Sequence, residues 1–136
     1  MDYWFDKTTP ANTAKTSALE IELKLCSGVI TRVWLFHPEG CHGLAHASIW
    51  IGGHQLYPAG PDNDYHGNAV PMEFEDQFEL GTPALLKLIT WNEDETYEHR
   101  VYVRITITRP DEDQKTGETN KILQELLNTI LGGSQL

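Results

Sequence analysis

Cysteine is scarce: two thiols, Cys26 and Cys41, in 136 residues. They stand at no metal-ligand spacing, so a cysteine-ligated zinc module is excluded, and two separate thiols in a reducing compartment are expected rather than a disulfide scaffold. No apolar run approaches the roughly 20 residues that a membrane span needs. The opening Met1-Asp2-Tyr3-Trp4-Phe5-Asp6-Lys7 is acidic and aromatic, the reverse of a signal peptide's basic-then-apolar order. A cytoplasmic or particle-associated protein is therefore expected. Basic residues are also few, with Lys+Arg 10 against Asp+Glu 20 and a net charge of −10. A field of that sign repels phosphate, so neither nucleic acid nor an anionic membrane is expected as a partner. There is no Gly-x-Ser-x-Gly elbow and no glycine-rich phosphate loop. No motif points to an enzyme, and none is expected.

What is present is β-patterning. Residues 19–58 are its clearest stretch. Leu19-Glu20-Ile21-Glu22-Leu23-Lys24-Leu25 alternates strictly, and Val29 to Phe36 is apolar on both faces except at Thr31 and Arg32. Ser27-Gly28 between them predicts a tight hairpin pairing Leu25 with Ile30, Leu23 with Arg32, Ile21 with Trp34 and Leu19 with Phe36. A second hairpin is predicted around Gly52-Gly53, joining Leu44–Ile51 to His54–Tyr57 with Ile49 opposite Leu56 and Ser48 opposite Tyr57. Further strands are read at Met72–Leu80, Ala84–Trp91 and Tyr97–Thr108. Asp76 falls on the apolar side of its strand, which predicts a bulge or bend there.

About seven strands with regular turn signals, and no helix between them, predict an all-β fold: an antiparallel β-sandwich of jelly-roll-like type. Residues 1–18 read as an N-terminal arm, 19–108 as the sandwich and 109–118 as a charged linker. Residues 119–136 read as a short amphipathic helix and tail. Its aliphatic stripe is Ile122, Leu123, Leu126, Leu127, Ile130 and Leu131, with Gly132 placed as a C-cap.

Six histidines raise the question of a metal. His42 and His46 are four apart, but on a strand that spacing is roughly 13 Å, too far for one ion. His99 lies on the apolar face of the last strand and reads as a core or edge residue. Cys41-His42 between Gly40 and Gly43 reads as a tight corner, because adjacent residues rarely point at each other as a thiol and its base must. The long loop partly matches a calcium loop: Asp62, Asp64 and Glu73 occupy the first, third and twelfth positions around Gly67, although His66 replaces an oxygen ligand. Calcium is the cofactor that spacing suggests; otherwise none is expected. His46, Trp50 and Tyr57 are predicted to share one sheet face, as a platform for a sugar ring or for a protein.

Trp4 and Phe5 at one end and the aliphatic stripe at the other are apolar surfaces that a domain of this size does not obviously need. They point to a non-enzymatic structural module that self-associates as a homo-oligomer or docks on a larger virion-like or filament-like particle. The alternative is a β-sandwich that binds carbohydrate or another ligand, with a structural calcium.

Overall fold

The computed structural model describes residues 1–60 and 62–109. Eight strands carry the fold: β1 (Asp2–Thr9), β2 (Leu19–Lys24), β3 (Gly28–Phe36), β4 (Ala45–Ile51), β5 (His54–Tyr57), β6 (Met72–Leu80), β7 (Leu85–Asn92) and β8 (His99–Thr108). They form two antiparallel four-stranded sheets, ordered β1-β8-β3-β6 and β2-β7-β4-β5. The pairings nest, β4 with β5, β3 with β6, β2 with β7 and β1 with β8. The chain is thus one long hairpin with Gly52-Gly53 at its tip, wound so that successive pairs fall in alternate sheets.

Alternation decides what each sheet contributes to the shared core. Leu23, Ile49, Leu86 and Leu88 come from the second sheet, and Ile30, Val33, Leu35, Val101, Val103, Ile105 and Ile107 from the first. Each such side chain contributes roughly 1.5–3 kcal/mol on full burial. No helix among the described residues is long and apolar enough to cross a membrane.

The tight hairpin expected at Ser27-Gly28 does not form. Leu23 pairs with Leu86 and Ile21 with Leu88, while Val33 lies between Ile105 and Phe74. Leu25–Ser27 carries the chain from one sheet to the other, so both apolar faces meet across the core. Alternation specifies which face turns inward, and it is silent about which strand lies alongside. Gly28 is required at the crossing: a Cβ there would sit 2.7 Å from Ile107 Cγ2 and 2.8 Å from the Thr108 carbonyl oxygen.

Residues 2–9, expected within an arm, are instead the edge strand β1, paired with β8 along its whole length. Tyr3 and Phe5 pack against the core, whereas Trp4 points outward. A tryptophan on the polar face conceals the alternation. The β4–β5 hairpin forms as expected, but a register shift beside Ile49 sets Ile49 opposite Tyr57 instead of Leu56. The irregularity expected near Asp76 is present, since the β3–β6 register shifts between the pairs Ile30–Phe78 and Arg32–Glu75. The linker from residue 110 and the amphipathic helix, with Ile122, Leu123, Leu126, Leu127, Ile130 and Leu131, lie outside the described residues.

Candidate functional site

Alternate connections of a wound hairpin emerge at the same end. Ala45 at the start of β4 pairs with Asn92 at the end of β7, and Thr9 at the end of β1 with His99 at the start of β8. His37, His42, His46, His66 and His99 therefore gather toward one end, and His54 follows the opposite hairpin tip.

A single rung of ladder builds the cluster at that end. Beyond β5, Tyr65 takes its place beside β4: its N–H donates to the Ala47 carbonyl at 2.8 Å, and Ala47 N–H donates back at 2.9 Å. Tyr65 turns inward and stacks on Phe74. Strand alternation then turns Asp64 and His66 outward, onto the face where His46 stands.

His46 Nδ1 donates to Asp64 Oδ1 at 2.5 Å, and His66 Nδ1 donates to the same oxygen at 2.9 Å. One ligand atom from each of the three residues lies within 4.8 Å of the others, an arrangement that no other three His, Cys, Asp or Glu side chains achieve among the described residues. Burial works against the charge on Asp64, but the hydrogen bonds from both imidazoles outweigh it, so its pKa lies below the ordinary carboxylate value. His46 is 9% exposed, and its ring stacks flat on Trp91, with centroids 5.1 Å apart. Its Nε2 is buried without a hydrogen bond among the described residues, and Glu93 Oε2 lies 3.2 Å away, out of line.

His37, just after β3, is fully buried, and neither ring nitrogen has a partner among the described residues. Burial, reinforced by the charges of His46 and His66, lowers its pKa to about 4. It is a neutral imidazole within electrostatic reach of the cluster. Nearby, His99 Nε2 donates to Asp94 Oδ2 at 2.7 Å, and Asp94 Oδ1 accepts the Thr96 and Tyr97 N–H groups. Desolvation raises the pKa of the buried Cys41 thiol, and the Asp94 charge adds to the effect, which is the reverse of a nucleophile's environment.

The residues expected to bind calcium are not brought together. Glu73 lies on the outer face of the first sheet against Arg32 and Arg104, at 3.6 and 3.3 Å, and Asp62 is exposed. Asp64 is the one that reaches a cluster, and its neighbours there are nitrogens. The platform also divides. Tyr57 faces the core, where its hydroxyl donates to Asp76, whereas His46 and Trp50 face outward. Trp50 and Trp91, with Lys15, Ser48, Gln55 and Asn63, line a groove of about 230 Å³ beside the cluster. His37, Trp91 and Glu93 carried no recognisable signal in the sequence, and His66 stood out there only as a departure from the calcium pattern, because these residues converge from separate loops and strand ends.

The outer face of the first sheet holds a second arrangement. Trp4, Arg104, Trp34 and Glu73 stand in one row across β1, β8, β3 and β6. The Arg104 guanidinium lies 5.1 Å from the Trp4 ring and 5.6 Å from the Trp34 ring. Trp34 continues onto Phe36, and Phe36 onto Tyr102. Beside this row runs a polar groove of about 430 Å³ lined by Asp2, Arg32, Glu75, Gln77 and Arg104. Comparison with protein-family models, curated proteins and solved structures finds no match to this chain, so its chemistry rests on these residues alone.

Proposed function

We propose that the protein is a non-enzymatic assembly module on a jelly-roll sandwich, joining copies of itself through the outer face of the first sheet. The nested pairing of eight strands in two sheets supports the jelly-roll reading. Jelly rolls serve as capsid and lectin domains, an analogy of architecture and not of site.

The observation that carries the proposal is Trp4. It is 60% exposed, at one end of a band that runs through Trp34 and Phe36 to Tyr102. Arginine and aromatic side chains are the types that concentrate binding energy at interface centres. With a net charge of −10, copies repel at most orientations. This face instead intersperses Arg32, Arg100 and Arg104 with Asp2, Asp6, Glu73 and Glu75, so it complements itself across a two-fold axis.

Sedimentation of the wild type should reveal a concentration-dependent oligomer. Trp4→Asp should yield a monomer whose melting temperature matches that of the dilute wild-type monomer. A wild type that stays monomeric at every concentration, or a Trp4→Asp oligomer unchanged in mass, would overturn the proposal.

A second reading, ligand binding on the other sheet, is favoured by the groove between Trp50 and Trp91, where flat rings sit beside the amides of Gln55 and Asn63. A glycan panel checks it: binding lost in Trp50→Ala supports a sugar site, and no binding by the wild type removes the carbohydrate form of the reading.

A further inference from the structure

We propose that His46, Asp64 and His66 form a first-row transition-metal site, with Zn2+ as its reference ion. The cluster lies on the second sheet, so its chemistry is independent of association through the first. Two imidazole nitrogens and one carboxylate oxygen are the donor types that zinc and its first-row neighbours take, whereas calcium requires a shell of oxygens. Three protein ligands leave at least one position for water or an incoming group.

The convergence alone could be an acid bridging two imidazoles. A further observation points to an ion. His46 Nε2 is buried, has no hydrogen bond among the described residues and lies 3.2 Å from Glu93 Oε2. In the neutral ring the bond to Asp64 places the proton on Nδ1, so Nε2 is an acceptor that faces a carboxylate with no proton to give. A metal ion on Nδ1 moves the ring proton to Nε2, where a turn of the exposed Glu93 side chain would bring its carboxylate into line to accept it. This is the carboxylate–histidine–metal arrangement that sets a ligand's tautomer and raises its basicity. Trp91, stacked on the same ring, restricts its rotation and keeps Nδ1 directed at Asp64. His37 adds a second buried imidazole, with no partner for either nitrogen among the described residues, within electrostatic range of all three ligands.

Coordination requires modest movement. Ligand atoms about 2.0 Å from a tetrahedral ion stand roughly 3.3 Å apart, so the 2.5 Å contact between His46 and Asp64 must open by less than an ångström and the widest pair, within 4.8 Å, must close by up to about 1.5 Å. Asp64 belongs to the long β5–β6 connection, which can accommodate that shift, and His66 is the exposed side of the site.

The test is calorimetric titration of the metal-free full chain with Zn2+, repeated with Co2+ by visible absorption. One equivalent should bind, with the d–d bands of a low-coordinate Co2+ site, and Ca2+ should give no heat. His66→Ala changes an exposed side chain and should fold normally, yet weaken Zn2+ binding by on the order of 100-fold, while Glu93→Gln weakens it about 10–100-fold. His54→Ala, which removes an imidazole near the opposite hairpin tip, should leave the affinity unchanged. No Zn2+ binding by the wild type, an unchanged affinity in His66→Ala, or an equal loss in His54→Ala would overturn the proposal.

Discussion

Tyr57→Phe removes one oxygen from the core and should cost far more than its volume implies. Tyr57 is 6% exposed at the end of β5, and its hydroxyl donates to Asp76 Oδ2 at 2.5 Å. Burial, with the acceptor carboxylate adding to it, pushes the phenol well above its ordinary pKa, so it stays a donor throughout the working range. Asp76 is the carboxylate on the inward side of β6, and Tyr57 is its only hydrogen-bond partner among the described residues. The phenylalanine ring keeps the edge contact with Phe74, at 5.1 Å between centroids, so packing is conserved and the change isolates the hydrogen bond. Hydrogen bonds to charged groups contribute about 1.5–3 kcal/mol, and a half-buried carboxylate left without its donor places the loss in the upper half of that range. In a domain of this size that corresponds to a fall of roughly 10 °C in melting temperature. Urea unfolding at neutral pH measures it directly. Tyr65→Phe is the internal control: Tyr65 also packs on Phe74, though by stacking, but its hydroxyl makes no hydrogen bond among the described residues, so its cost should stay within about 0.5 kcal/mol. A double-mutant cycle with Asp76→Ala should return a coupling of about 1.5 kcal/mol or more. If Tyr57→Phe proves as mild as Tyr65→Phe, the carboxylate is solvated well enough to dispense with its donor, and the explanation of Asp76 fails.

Three other outcomes follow from the same structure. Gly28→Ala should destabilise the fold by about 1–3 kcal/mol, because its Cβ would press on the Thr108 backbone carbonyl, which cannot rotate away as a side chain can. Leu88→Ala should cost about 2–5 kcal/mol in chemical unfolding, since its side chain is fully enclosed between the sheets. Asp94 is held below its ordinary pKa of 3.8 by the Thr96 N–H first, then by His99 and the Tyr97 N–H. The folded carboxyl thus keeps its charge to lower pH than the unfolded one, so its stabilisation is complete above about pH 5 and fades as pH falls through the folded value. Asp94→Asn should be less stable than wild type at neutral pH and should converge on it in acid melts; parallel curves would remove this assignment.

Every strand but β1, and the facing of most side chains, were legible in the chain, because alternation has a period of two and needs no partner to be read. Val101, Val103, Ile105 and Ile107 face inward as their spacing implies, and Gly52-Gly53 turns a hairpin, with Gly52 in the left-handed region that glycine permits. The mispairing of β2 with β3 has the opposite cause. Two strands next to each other in sequence gain the same burial whether they lie side by side or face each other across a core. Only the remaining strands choose between those outcomes, here β7 for β2, and β6 and β8 for β3. The bulge in β5 depended equally on its surroundings. It turned Tyr57 toward Asp76 and dissolved the expected His46–Trp50–Tyr57 face, because one extra residue inverts every facing beyond it. The histidine cluster lies furthest from local reading. His46 belongs to a strand, Asp64 and His66 to a loop, and Glu93 follows a second strand; what joins them is one rung between Ala47 and Tyr65. That rung exists because the core accepts the Tyr65 ring, and its two polar neighbours are carried to the other face as a consequence of alternation.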